Sequence, residues 1–473
     1  MLDLSQHARL YRSLAFLFLG HSKATFKMTK APSARLVANA RDADVAPGSR
    51  RGLVAWALYD WANSPFTTLI ITFVFPAYFA QAIAANETRG QELWGYAIAA
   101  SGLFIAALSP VLGAIADAGG RRKPWLFAFT LLCIAASALL WLAEPGRASV
   151  VPSLILVGLA NIGFEFGVAF NNAMLPDLVP EGRIGRWSGW AWALGYAGGL
   201  AALAVSLVVF IEDAWPWLRL DRMQAEHVRI AGPLVALWFA VFTWPLFLWT
   251  PDRAASGLSV QTSVRQGLKA LRATLQGLSA QRNLVRFLAA HMLYADALVG
   301  IFTFGGIYAA GTFGMTLAQV TLFGIVLNVA AGLGAFGFAW VDDWIGSRRT
   351  ILLALSGLVV TASAAVLAPD RMWFWISGSV LGLFVGPAQA ASRSLMARLA
   401  PAGRETEIFG LYALSGKATA FLGPALVGSV TAISASQRLG VASLLILLVT
   451  GLALLVGVRE GDRREPQSYR ARK

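Results

Sequence analysis

A chain of 473 residues that is 57% hydrophobic and only 14% charged carries far less charge than a soluble domain, which has about 25%. Its formal net charge of +14 does not mark a nucleic-acid binder, because the basic residues sit in short clusters between apolar runs, as in the loops of a membrane protein. The single cysteine, Cys133, lies inside an apolar run and excludes an intramolecular disulfide or a cysteine metal cluster.

In chain order, residues 1–50 come first. Arg9 and Arg12 precede "SLAFLFLG", as in the charged and apolar parts of a secretory signal, but no clear small-residue cleavage site follows and the next stretch is basic. The segment reads as a disordered basic tail, with Met28 an alternative start. Twelve runs then meet the roughly 20 apolar residues needed to cross about 30 Å of hydrocarbon. They lie near 53–80, 93–116, 125–143, 150–172, 187–211, 231–250, 284–311, 317–341, 350–368, 373–396, 408–432 and 439–458. Period-two alternation is absent, which argues against a β-barrel and for an all-α membrane protein.

Lys and Arg set the orientation. Nine precede the first span and six follow the last, against seven in all the loops after odd-numbered spans. Both termini are expected in the cytoplasm. The long connection 251–283 divides the spans into two groups of six. The expected units are a tail (1–50), a first bundle (51–250), a linker (251–283), a second bundle (284–458) and a basic tail (459–473). In the linker, Val264, Leu268, Leu271, Leu275 and Leu278 recur at helical spacing among Arg265, Lys269 and Arg272. That pattern suits an amphipathic helix on the anionic inner leaflet, and a solvated linker helix equally well.

The halves resemble each other. "LVPEGRIGRWSG" (178–189) and "LAPAGRETEIFG" (399–410) share Leu, Pro, Gly, Arg and Gly at one offset of 221. "GAIADAGGRRK" after span two is echoed by "FAWVDDWIGSRR" after span eight, with Asp117 and Asp343 each three residues before Gly120 and Gly346. Equal span number and orientation make this a parallel repeat, an arrangement that often places a substrate site near mid-membrane between its halves.

At these residues the chain resembles the major facilitator superfamily. The signature between spans two and three reads here Gly113, Asp117, Ala118, Gly120, Arg121, Arg122 and Lys123. Ala118 stands where a basic residue is usual, which implies a less tightly latched inner gate. "YDWANSPF", "LPDLVPEGRIGRWSGWAWALGYAGG", "SRSLMARLAP" and "FGLYALSGKATAFLGP" are similar to the vacuole-effluxer branch, whose eukaryotic members are linked to amino-acid release from the vacuole. The resemblance implies two pseudo-symmetric six-helix bundles, with spans one, four, seven and ten lining a cavity.

Polar residues inside the spans point to the same helices. A charge at the bilayer centre costs at least about 2.5–3.5 kcal/mol, so it normally faces a cavity or a partner. The candidates for substrate binding or coupling are Asp60, Asn63, Asn161, Glu165, Asn171, Asn172, His291, Asp296, Asn328, Gln389, Arg393 and Lys417. Spans three, six, nine and twelve have none. Pro65 beside Asp60 and Asn63 frees a backbone carbonyl, which is tolerated at depth only beside protein or water. Asp60 either lines the cavity or caps its helix at the interface. Asp296 occupies the position equivalent to Asp60. Glu165 is neutral, paired with Lys417 or Arg393, or used for proton transfer; Lys417 pairs with a carboxylate or reads that of a substrate. His291 shuttles a proton or is structural. Trp187, Trp190, Trp192 and Tyr196 form an interfacial belt or stack on substrate.

The gating candidates are Gly113, Asp117, Gly120, Arg121, Arg122, Lys123, Asp343, Gly346, Arg348 and Arg349. Asp117, poorly placed for its own helix dipole, suits the N-terminus of helix eleven, and Asp343 that of helix five. "GLGAFG" (332–337) lies inside a span and is no dinucleotide loop; its glycines, with Gly195 and Gly199, let helices approach. The expectation is a monomeric secondary transporter of the plasma membrane, exporting a small solute such as an amino acid by alternating access, with proton coupling. Alternatives are a drug or lipid efflux carrier and a non-transporting scaffold or sensor. No cofactor, metal or nucleic acid is expected; the partners are solute, protons and the lipid bilayer.

Overall fold

The computed structural model describes residues 49–211 and 220–460, so the signal-like stretch, Met28 and nearly all of both tails lie outside the described residues. Among the described residues, twelve helices are long and apolar enough to cross a bilayer. They are α1 (Arg50–Ile83), α2 (Arg89–Gly119), α3 (Lys123–Leu142), α4 (Arg147–Leu178), α5 (Glu181–Phe210) and α6 (Glu226–Trp249). The second set is α7 (Arg282–Phe313), α8 (Gln319–Ile345), α9 (Ser347–Val366), α10 (Arg371–Leu399), α11 (Glu405–Ser434) and α12 (Gln437–Val456). Local chemistry starts several of them. Asn86 accepts the Arg89 N–H before α2, Asp370 accepts the Trp373 N–H in α10, and Thr316 and Gln319 cap each other at α8.

The two sets repeat one packing plan. In the first, α1 packs on α5 and α6, α4 on α2 and α3, and α3 on α6. In the second, α7 packs on α11 and α12, α10 on α8 and α9, and α9 on α12. The repeated loops match in backbone: Arg183 has φ −130° and ψ 7°, Arg404 φ −130° and ψ 20°. The halves meet along two equivalent seams, α2 with α11 and α5 with α8. Small residues set those distances. A Cβ on Gly113 would stand 2.3 Å from the Thr406 carbonyl oxygen, and one on Gly189 2.6 Å from that of Ala335. On the outside, Phe127, Leu131, Leu237, Val241, Leu353, Val360, Ile446 and Val449 are exposed on α3, α6, α9 and α12, the face a lipid solvent favours.

Pro65 has the expected effect on α1. It has no N–H to offer the Trp61 carbonyl, which instead accepts from Trp238 Nε1 at 3.3 Å. Beyond it the helix widens to π geometry over Phe66–Phe73 and again over Phe79–Ile83.

The linker contains a helix, Val260–Gly277, whose apolar stripe forms only part of its docking face. It packs on α2 through Ser263, Gly267, Leu271 and Thr274, while Leu268 and Leu275 stay exposed. A Cβ on Gly267 would reach 2.7 Å from the Ile115 Cα, so close approach selects small residues here.

Candidate functional site

Polar groups form three layers, counted from the end where α1 begins and the Lys- and Arg-rich loops lie, here called the basic end. The first layer joins the halves. Arg122, with 1% of its side chain exposed, donates to Asp177 (2.6 Å), Glu405 (2.9 Å) and Asp117 (3.2 Å), and also to Thr406 Oγ1 and the Ala173 carbonyl. Arg253, just past α6, reaches Asp177 at 2.7 Å and Glu405 at 2.8 Å. Burial alone would weaken the Arg253 charge, but Glu405 and Asp177 outweigh it and hold the guanidinium well above its usual range. The linker thus supplies a second positive charge to this cluster, whose loop carries Ala118 where a basic residue is usual. Asp117 Oδ2 accepts the Glu407 N–H at 2.8 Å, at the positive end of α11.

A related cluster closes the other seam. Asp343 accepts the Arg186 N–H at the start of α5 (3.2 Å), and Arg398 lies among Asp342, Asp343 and Glu460. The two clusters share a device. Asp252, after α6, accepts the N–H groups of Arg122 and Lys123 at the head of α3. Glu460, after α12, accepts those of Ser347 and Arg348 at the head of α9. Lys123 Nζ holds the final carbonyls of α6, Phe247 and Thr250, while Arg348 holds Val456 of α12. Gly120 and Gly346 have φ +89° and +91°, conformations open to glycine. Arg121 and Arg349 are exposed.

The second layer centres on Arg393 of α10. It donates to Asp60 Oδ2 of α1 at 2.7 Å, Asn172 Oδ1 of α4 at 3.1 Å, and the hydroxyl and carbonyl of Ser188 in α5. Trp56 and Trp192 lie against the guanidinium. Asp60 thus bridges the halves and does not cap its helix.

The third layer lies deeper, roughly 20 Å from the end of α4 at about 1.5 Å per residue. Glu165 Oε1 meets Lys417 Nζ of α11 at 2.6 Å, the side chains 18% and 31% exposed. Tyr196 donates to Gln389 Oε1 at 2.6 Å across the halves. His291 contacts Ser415 at 2.9 Å and packs on Tyr412 within the second half. Asp296 is fully buried, apart from the ion pairs. Beyond this layer a cavity of about 120 Å³ opens between α1, α5 and α8, walled by Ser64, Thr67, Thr68, Trp192, Tyr196 and Asn328 among others.

Some candidates stay apart. Asn161 donates to Ser101 within the first half. The Asn328 amide donates to Gly324 on its own helix. Asn63 and Asn171 are buried, and the Asn171 carbonyl accepts from Trp56 Nε1. Trp187 and Trp190 pack together, with Trp190 also against Trp340. The residues not singled out in the sequence are Asp177, Arg186, Asp252, Arg253, Arg398, Glu405 and Glu460. Asp177, Arg186, Arg398 and Glu405 lie beside the repeated loops, which is the sequence signal that marked their neighbourhood, whereas Asp252, Arg253 and Glu460 follow α6 and α12 outside those loops.

Two matched six-helix sets, polar groups turned inward and ion-paired seams at one end define a transporter of the major facilitator superfamily, whose model matches residues 26–203. The fold is similar to that of the human organic anion transporter MFSD10, with TM-score 0.64 and 15% identity over 87% of this chain and 100% of that one. It is also similar to the proton:xylose symporter XylE, with TM-score 0.66 and 13% identity over 87% and 96%. The model described as vacuole effluxer Atg22 like matches residues 181–466, and the chain belongs to that family. An uncharacterized MFS-type transporter, YxiO of Bacillus subtilis, is 26% identical over 86% of this chain and 94% of its own length. Autophagy-related protein 22 of Yarrowia lipolytica is 24% identical over 65% of this chain and 56% of its own. The chain spans about half the length of such fungal relatives.

Proposed function

We propose that this transporter exports a small zwitterionic solute, an amino acid, across the plasma membrane in exchange for protons. The basic end is cytoplasmic on this reading, as the Lys and Arg distribution supports. Closure of that end makes the described conformation outward-facing. The two halves rock about the mid-depth layer, opening and closing the ion-paired seams in turn. The observation that carries the substrate class is the Glu165–Lys417 pair, partly exposed at mid-depth with one member on each half. A solute bearing one ammonium and one carboxylate can replace each partner in turn, keeping both charges paired in a low-dielectric setting.

The test is a thermal-shift screen of purified protein against amino acids, sugars and cationic drugs. An amino acid should raise the melting temperature, and Glu165→Gln should weaken that response at least about tenfold in concentration, the value of one charge-assisted hydrogen bond. A shift that survives in both Glu165→Gln and Lys417→Met removes this reading. The aromatic walls of the α1–α5–α8 cavity, Phe73, Trp192 and Tyr196, favour a second one, an efflux carrier for apolar organic molecules. Stabilisation by drugs alone would support it.

A further inference from the structure

Asp60 and Glu165 each have a cation within 2.7 Å, and Asp296 does not. Asp296 lies at mid-length of α7, is 0% exposed, and has no hydrogen-bond partner on either carboxylate oxygen among the described residues. These charged groups on the helices around it are engaged elsewhere. From α11, Lys417 is bound to Glu165; from α10, Arg393 to Asp60 and Arg398 to Glu460. From α12, Arg438 donates to the Ala368 carbonyl; from α8, Asp342 and Asp343 join the seam cluster. On α7 itself His291 contacts Ser415 and Tyr294 contacts Ser392, and Tyr412 of α11 packs on His291.

A second observation falls at the same place. The ladder of α11 breaks between Lys417 and Leu422, where Ala420 N–H reaches back to Lys417 at 3.4 Å and Leu422 N–H to Thr419 at 2.7 Å. The hydroxyl of Thr419 in this turn faces Asp296, outside good hydrogen-bond geometry. Gly423 lets the turn press on α7, since a Cβ there would stand 2.6 Å from the Asp296 carbonyl oxygen. Interrupted helices at membrane depth commonly build ion sites in transporters.

We infer that Asp296 holds the coupled proton, as the neutral acid while the basic end is closed; the inference rests on the proton-coupled reading above. A carboxylate buried without a countercharge is costly, and a proton removes that cost. When the halves rock and the 418–421 turn reorganises, water reaches the carboxyl. Its O–H bond then breaks, the proton passes to water, and a carboxylate remains. Lys417, on the edge of the same turn, is drawn toward that new charge and off Glu165. Proton release is thereby tied to the inter-half pair.

The experiment uses the full chain, purified for infrared spectroscopy and reconstituted for flux. The neutral-acid carbonyl band of wild type should vanish in Asp296→Asn, and shift in Thr419→Val, which retains the acid. A band unchanged in both variants overturns the inference. In vesicles, an imposed pH gradient should accumulate an equimolar mixture of radiolabelled amino acids in wild type. Asp296→Asn should lose at least about tenfold of that accumulation, within the usual range of site-to-site coupling, while still exchanging label for unlabelled mixture. Accumulation that persists in Asp296→Asn, loss of exchange together with accumulation, or drive by a sodium gradient in place of the pH gradient each overturns it. The infrared readout needs no solute, so a wild type that shows the band but moves no amino acid refutes the proposed substrate and leaves the proton site standing.

Discussion

At the scale of single residues, Arg393 and Asp60 form an enclosed ion pair between the halves, with side chains 3% and 12% exposed. Breaking such a pair on one side strands a charge and costs about 3–5 kcal/mol, whereas replacing both partners by neutral groups is often close to neutral. Asp60→Asn should therefore lower the melting temperature more than the double variant Asp60→Asn/Arg393→Met. Equal losses would mean that Asn172 and Ser188 already satisfy the guanidinium. The sequence marked both residues, because an ionised side chain inside an apolar run is visible without any structure. It left Glu165 open to Lys417 or Arg393. That choice depends on how far α4, α10 and α11 are rotated about their axes, which packing decides and local spacing does not.

At the scale of helices, the proposed latch at the basic end depends on a helix end and a crossing. Asp117 accepts the Glu407 N–H, so Asp117→Asn weakens both the contact with the positive end of α11 and the ion pair to Arg122. Spin-label distances across the basic end should lengthen in a larger fraction of molecules, and an unchanged distribution would rule the latch out. Gly113→Val should shift the same distances in the same direction, because its side chain collides with the α11 backbone only when that end is shut. The twelve spans were legible from hydropathy, and the placement of Asp117 and Asp343 opposite the N-termini of α11 and α5 from topology. The linker helix was legible as a helix but not in its docking face. Its buried side joins one stripe residue, Leu271, to Ser263, Gly267 and Thr274, small residues that a hydrophobic stripe passes over and that close backbone contact requires. The π segments of α1 had no signal beyond Pro65.

At the scale of the whole molecule, the linker is tied into the ion-paired cluster between the halves. Ser256 N–H bonds the Gly119 carbonyl at 3.0 Å, and Arg253 lies between Asp177 and Glu405. Arg253→Ala should open the basic end more often and speed amide hydrogen exchange over 252–258. Unaltered exchange there would show that Asp252 alone keeps the segment in place. Arg253 escaped notice because it follows a helix in a stretch without periodicity. Its role appears only once α4, α11 and the linker are brought together.

Each half also fastens its own exit strand to the head of its third helix, through Asp252 in one case and Glu460 in the other. The polypeptide leaving either bundle is therefore a handle on the machinery, and tension applied there has leverage on it. A bulky fusion placed directly after Glu460 should slow turnover, while one attached through a long slack tether should leave it alone.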